Sequence, residues 1–171
     1  MSINRRDFLR SGSMAALGLS VPFLTKANFF DAPAGFKIPN FGIQLWTVKE
    51  NMMADAKGTL AKLASFGYKQ IESYEGPQGM FWGMGHTGFK SYLDSLGMKI
   101  VSSHCDNLTD FDKKSEQAAA IGMQYLICPH KGTQKSLDNY KAFADEFNTS
   151  GKIAKKHGIK FAYHNHDYSF I

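Results

Sequence analysis

The sequence has little cysteine, 2 in 171 residues, which excludes a disulfide-stapled miniprotein. Its 5 prolines and 16 glycines are too few for a collagenous or low-complexity chain. No apolar run reaches the roughly 18 residues that a permanent membrane span requires. Charge of one sign is barely in excess: 20 Lys+Arg against 15 Asp+Glu leave a net +5. Two of those five charges belong to residues 1–34, where Arg5, Arg6, Arg10 and Lys26 outnumber Asp7 and Asp31. What remains is too thin for the electrostatic footprint of a nucleic-acid binder. What is present is an ordinary globular composition, 43% hydrophobic and 13% aromatic.

Residues 1–34 have the three-part layout of an export signal. A charged start, Asn4-Arg5-Arg6-Asp7-Phe8-Leu9-Arg10, leads into a weakly apolar stretch from Ser11 to Leu24 and then the small pair of Ala32-Pro33-Ala34. The Arg-Arg-x-Phe-Leu-Arg core resembles a twin-arginine signal, which implies passage of a folded protein through that export machinery into the periplasm. An amphipathic terminal helix is the competing reading, weakened by poor helical spacing and by Pro22. Residues 35–171 then form the mature domain. There Cys105 and Cys128 either pair in an oxidising compartment or stand as buried free thiols on neighbouring strands.

The most informative feature is a four-fold repeat of helix, glycine and strand. The repeats read Phe66-Gly67-Tyr68-Lys69-Gln70-Ile71-Glu72; Leu96-Gly97 through His104; Ile121-Gly122 through His130; and His157-Gly158 through His166. Each glycine stands where a helix end needs a left-handed residue. Each following run is short and nearly continuously apolar, the pattern of a parallel strand covered on both faces. An earlier strand, Gly42 to Thr47, precedes the first helix, whose stripe is Ala56, Leu60, Leu63 and Ala64. A second helix carries Phe89, Leu93 and Leu96, and a short third runs from Lys113 to Ile121. The fourth runs from the N-cap Ser136 to His157, with Gly151 marking a kink or break.

Alternating strands and helices demand right-handed crossovers and a parallel sheet. The sequence has no Gly-x-Gly-x-x-Gly after its first strand, where Trp46-Thr47-Val48-Lys49-Glu50 stands, and this argues against a dinucleotide-binding open sheet. The expected fold is α/β: about five strands and four helices, the N-terminal part of a (β/α)8 TIM barrel, which needs roughly 200–250 residues when whole. The chain is therefore expected to be a fragment or truncated product. Its open sheet edges would predispose it to pair as a homo-oligomer or to aggregate.

In such barrels the reactive side chains collect where strands end. Every repeat puts polar groups there: Glu72; Ser102 to His104 with Asp106 and Asn107; His130; and His164, Asn165, His166 and Asp167. Gln44 and Trp46 hold the matching end of the first strand. Imidazole and carboxylate converging in one pocket suit proton transfer or a divalent metal, although a single strand-end histidine is more often structural. The long connection Gly76 to His86 offers Phe81 and Trp82 either as a sugar-stacking lid or as an aromatic plug in the core. Asp112, Lys113, Lys114 and the Lys152–Lys156 group read as solvated helix faces.

With these residues in view, the chain resembles the sugar phosphate isomerase/epimerase family of xylose-isomerase-like barrels. The resemblance is carried by Gly42-Ile43-Gln44-Leu45-Trp46-Thr47, Gly67-Tyr68 with Ile71-Glu72, Ser103-His104-Cys105-Asp106 and, most specifically, Tyr163-His164-Asn165-His166-Asp167. It implies a metal-dependent enzyme that isomerises or epimerises a small carbohydrate through an ene-diolate, with one divalent cation (Mn, Mg, Co or Zn) at the mouth. On that reading Glu72, His104, His130 and His166 are catalytic. Gln44, Trp46, Phe81, Trp82 and Asn165 bind substrate, and His164, standing where many relatives have a glutamate, is a metal ligand of an incomplete site. The chain alone is expected to be inactive. The alternatives are a non-catalytic carbohydrate-binding or inert fragment, and a lyase or dehydratase on the same barrel. A zinc nuclease of this barrel class is disfavoured by the export signal and the weak charge.

Overall fold

The computed structural model describes residues 40–170, so the export signal expected in residues 1–34 lies outside the described residues. Five strands form one parallel sheet: β1 Gly42–Gln44, β2 Gln70–Tyr74, β3 Lys99–His104, β4 Tyr125–Cys128 and β5 Lys160–Tyr163. Their spatial order is their chain order, β1-β2-β3-β4-β5. Sequential parallel strands joined by helices on one side are the geometry of a barrel wall rather than of a doubly wound sheet.

Five α-helices accompany them among the described residues: α1 Lys49–Ala54, α2 Ala56–Ser65, α3 Gly85–Ser95, α4 Phe111–Ala120 and α5 Leu137–Lys156. The helix ends follow local chemistry. The Asp55 carboxylate accepts the Gly58 N–H at 2.9 Å, and the Ser136 hydroxyl accepts that of Asn139 at 3.3 Å. The four repeat glycines, Gly67, Gly97, Gly122 and Gly158, all have φ between 66° and 95° after their helices.

Three details depart from the sequence reading. The first strand stops at Gln44, and Leu45–Val48 turn into a 3-10 helix because the Gln44 side-chain oxygen accepts the Trp46 N–H at 2.6 Å. The short helix α1 had no sequence counterpart. Helix α5 runs unbroken through Gly151, because Ser150 and Ala154 are buried on its packed face. The glycine penalty of about 1 kcal/mol is outweighed by that burial.

The core lies between sheet and helices and includes Leu45, Met52, Leu60, Ile71, Phe89, Leu93 and Leu126, each at most 1% exposed. Among the described residues the other face is covered only in part: Tyr74, Ser102 and His104 are buried on it, but the cover fails towards β4, so the expectation of strands covered on both faces holds for β2 and β3 alone. Strand β4 shows it residue by residue: Leu126 and Cys128 are buried, while Tyr125 is exposed and Ile127 half-buried. Within the described residues β1 pairs only with β2, and β5 only with β4, so the concave face is not closed over. The cysteines are both free and buried, which fits the thiol alternative.

Candidate active site

A register shift in the sheet decides what the concave face presents. Ile71 pairs with Ile100, but Glu72 pairs with Ser102, so Val101 is an extra residue in β3. With side chains alternating across a strand, one added residue moves Ser102 and His104 onto the face of Glu72. The contacts follow from this. The Ser102 hydroxyl donates to Glu72 Oε2 at 2.6 Å, and His104 Nε2 stands 3.5 Å from Glu72 Oε1.

His104 is held from its other side by Gln44, whose Nε2 lies 3.2 Å from Nδ1. The same Gln44 spends its carbonyl oxygen on the Trp46 N–H, so the nitrogen facing His104 is the amide donor. Nδ1 therefore accepts, and the neutral imidazole carries its proton on Nε2, towards Glu72. Burial pushes the His104 pKa below the ordinary histidine value, outweighing the upward pull of Glu72, and nearby His164 and His166 add to the lowering.

The strand ends of β1, β3, β4 and β5 enclose a cavity of about 550 Å³. Gln44, Trp46, His104, His130, His164 and His166 all line it. The imidazoles form a contiguous group: His104 and His164 have ring centroids 5.1 Å apart, and His130 and His166 are 5.6 Å apart. His164 and His166 stack at 4.7 Å with 3° between their planes, and Tyr168 continues the stack at 5.1 Å from His166. His166 Nε2 donates to the Pro129 carbonyl at 3.1 Å, which leaves Nδ1 of the neutral ring as a free acceptor.

Glu72 lies just behind this cavity, reaching it through His104 and Ser102. Asn165 is exposed and away from the lining. Phe81 and Trp82 are also away from it. They are 8% and 3% exposed in the core, with Trp82 Nε1 donating to the Ser73 hydroxyl at 3.1 Å. This is the placement of the aromatic plug and not of a stacking lid, because the buried indole N–H finds its partner on the helix side of β2.

Glu75 and Tyr74 line the cavity without having been singled out from the sequence, and Asp106, named there among the strand-end polar groups but given no role, lines it too. Glu75 accepts the Asp106 N–H at 2.8 Å and the Lys114 ammonium at 2.9 Å, so Lys114 is an interior partner rather than part of a solvated face. Burial alone would raise the Asp106 pKa, but hydrogen bonds from Thr109 and from the Leu108 N–H outweigh it and hold the carboxyl below its usual range.

The donor set does not fit a complete divalent-cation site. Among the described residues no three His, Cys, Asp or Glu side chains converge on one point. Stacked as they are, His164 and His166 direct their nitrogen lone pairs in parallel planes, and Glu72 and Glu75 are already hydrogen-bonded.

No protein-family model matches this chain, and no curated protein matches it. Solved structures do. One is a sugar phosphate isomerase/epimerase from Parabacteroides distasonis, 23% identical, with TM-score 0.63, covering 82% of this chain and 56% of that one. Another of the same description and organism is 25% identical with TM-score 0.65, covering 75% and 55% respectively. A xylose isomerase-like TIM barrel protein from Mycobacterium smegmatis in complex with magnesium is 12% identical with TM-score 0.50, covering 63% and 45%. The chain thus spans about half the length of the structures it matches. Its five parallel strands and their helices are the fold of part of a TIM barrel, similar to that of the sugar phosphate isomerase/epimerases.

Proposed function

We propose that this chain supplies the acid–base part of a carbohydrate isomerase or epimerase. The observation that carries the reading is the cavity of about 550 Å³ that gathers four strand-end histidines and Gln44 in a barrel of this kind. A neutral imidazole removes a proton from the sugar carbon beside the carbonyl, and the electron pair moves onto the carbonyl oxygen as an ene-diolate. Return of the proton to the neighbouring carbon, with the hydroxyl proton passing from one oxygen of the ene-diolate to the other, isomerises the sugar; return to the opposite face of the same carbon epimerises it.

His166 suits the base because its bond to the Pro129 carbonyl fixes the tautomer and leaves Nδ1 as acceptor. His104 suits the hydrogen-bonding and orienting role, held between Gln44 and Glu72 and kept neutral by burial. His130 and His164 complete the polar wall, and Trp46, 55% exposed, offers a ring face to the sugar. A divalent cation belongs to the family this chain resembles, and His164 is its candidate donor here. The described donors do not make a complete site, and the proton transfer falls to the side chains. Twin-arginine export to the periplasm belongs to the same reading and is supported only by the Arg5-Arg6-x-Phe8-Leu9-Arg10 pattern.

The test is solvent exchange. The full chain, expected to give no complete turnover by itself, should still perform the proton-abstraction half-reaction: incubated with aldoses and ketoses in D2O with and without Mn(II), it should incorporate deuterium at the carbon next to the carbonyl, and His166→Gln should abolish that incorporation. Absence of exchange under both conditions, or exchange unaffected by His166→Gln, would contradict the assignment.

A further inference from the structure

A second cavity, about 1040 Å³ and open to solvent, adjoins the first. The two share three lining residues, Trp46, Tyr74 and Glu75, so the Trp46 ring stands as a partition with a cavity on each side. Tyr74 braces that ring edge-on at 5.0 Å and is itself braced by Trp82 at 5.0 Å, a ladder that anchors the exposed indole to the core. The far side of the second cavity is formed by Lys49, Met53 and Ala54 of α1 and by Gly76-Pro77. Lys49 Nζ stands 4.7 Å from the centre of the Trp46 ring.

Charge narrows what could occupy the pair. No Lys or Arg lines the first cavity, whereas Glu75 and Asp106 do. The second has Lys49 against Glu50 and Glu75. A phosphate group in the histidine cavity would face two carboxylates, with Lys114, the nearby ammonium, outside the lining and already committed to Glu75. A neutral ring with hydroxyls meets no such opposition. Its apolar C–H face fits an exposed indole, and its hydroxyls fit ammonium and carboxylate partners.

From this we infer that the second cavity is a subsite for the second unit of an uncharged two-ring glycoside, whose reacting sugar lies in the histidine cavity with Trp46 at the junction. The inference rests on the sugar-binding reading of the histidine cavity and names its substrate class. Helix α1 acquires a role on this account, since it forms the outer wall of the added subsite.

The experiment is calorimetric titration of the full chain with glucose, cellobiose and glucose 6-phosphate, repeated on Ala54→Trp. Ala54 is exposed at the end of α1 and lines the second cavity but not the first, so a bulky ring there takes up space in the second. Cellobiose should bind about tenfold more tightly than glucose, the gain of one hydrogen bond to a charged group such as Lys49 or Glu50, and Ala54→Trp should erase that gain while leaving glucose affinity unchanged. Cellobiose should also perturb the fluorescence of the wild type, because Trp46 is exposed and the other tryptophan, Trp82, is buried. Equal affinity for glucose and cellobiose would overturn the subsite and leave the sugar reading of the histidine cavity standing. Tighter binding of glucose 6-phosphate than of either neutral sugar would overturn it in favour of an anion site. Binding of none of the three would remove the functional reading and the subsite with it.

Discussion

His104 is where side-chain placement turns into pH behaviour. Burial, reinforced by His164 and His166 and opposed by Glu72, sets its folded pKa below the ordinary value of about 6.5. The unfolded chain therefore binds this proton more readily than the folded one, and stability rises with pH through that window and is lost as pH falls through it. Urea midpoints measured from about pH 7 down to pH 5 should fall for the wild type. His104→Gln should show a shallower decline, and an unchanged slope would contradict the account. The cysteines behave oppositely: burial pushes the Cys105 thiol up to about 12 and raises Cys128 as well, so neither is a thiolate nucleophile at neutral pH. At this scale the sequence is informative about which polar residues stand at strand ends and poor on where their side chains turn. The strand-end histidines were legible because the glycine spacing fixes where each strand ends. Phe81 and Trp82 were not, because an aromatic pair in a glycine-rich loop does not reveal that Ser73, on another element, will take the indole N–H.

Among the elements, caps and register carry more than propensity. Asp55 ends α1 and begins α2, and its carboxylate accepts the Gly58 N–H. Asp55→Ala should cost about 1 kcal/mol, read as a lowered thermal midpoint with unchanged far-UV circular dichroism at 25 °C. A midpoint equal to the wild type would show that the cap contributes nothing. The four glycine stops and the Ser136 cap were readable from sequence because each reflects a local backbone requirement. The extra residue at Val101 was not, because a register shift is a relation between two strands and leaves no mark in one of them. It is nonetheless what puts Glu72, Ser102 and His104 on one face. The reading of Glu72 as part of the site thus depended on a feature that the sequence conceals.

At the scale of the described molecule, the decisive property is a sheet covered by helices on one side and only in part on the other. The helix side buries Leu45, Ile71 and Leu126, and the concave side presents Glu72, His104, Tyr125 and the β5 end. The parallel order and the barrel class were legible from the alternation of elements, since right-handed crossovers leave few alternatives. That the described residues cover the concave face at β2 and β3 but not at β4 was not legible in the strands themselves, whose apolar runs look the same whether one face or two are buried. Function follows from that geometry: strand ends aimed at one rim bring imidazoles from three strands together with Gln44 from a fourth. The most direct measurement of this claim is NMR of the chain with labelled histidine side chains, titrated with glucose. The account predicts that His104, His130, His164 and His166 shift together along a single binding curve while His86 and His157 stay in place. Independent curves, or shifts confined to one ring, would contradict the shared cavity.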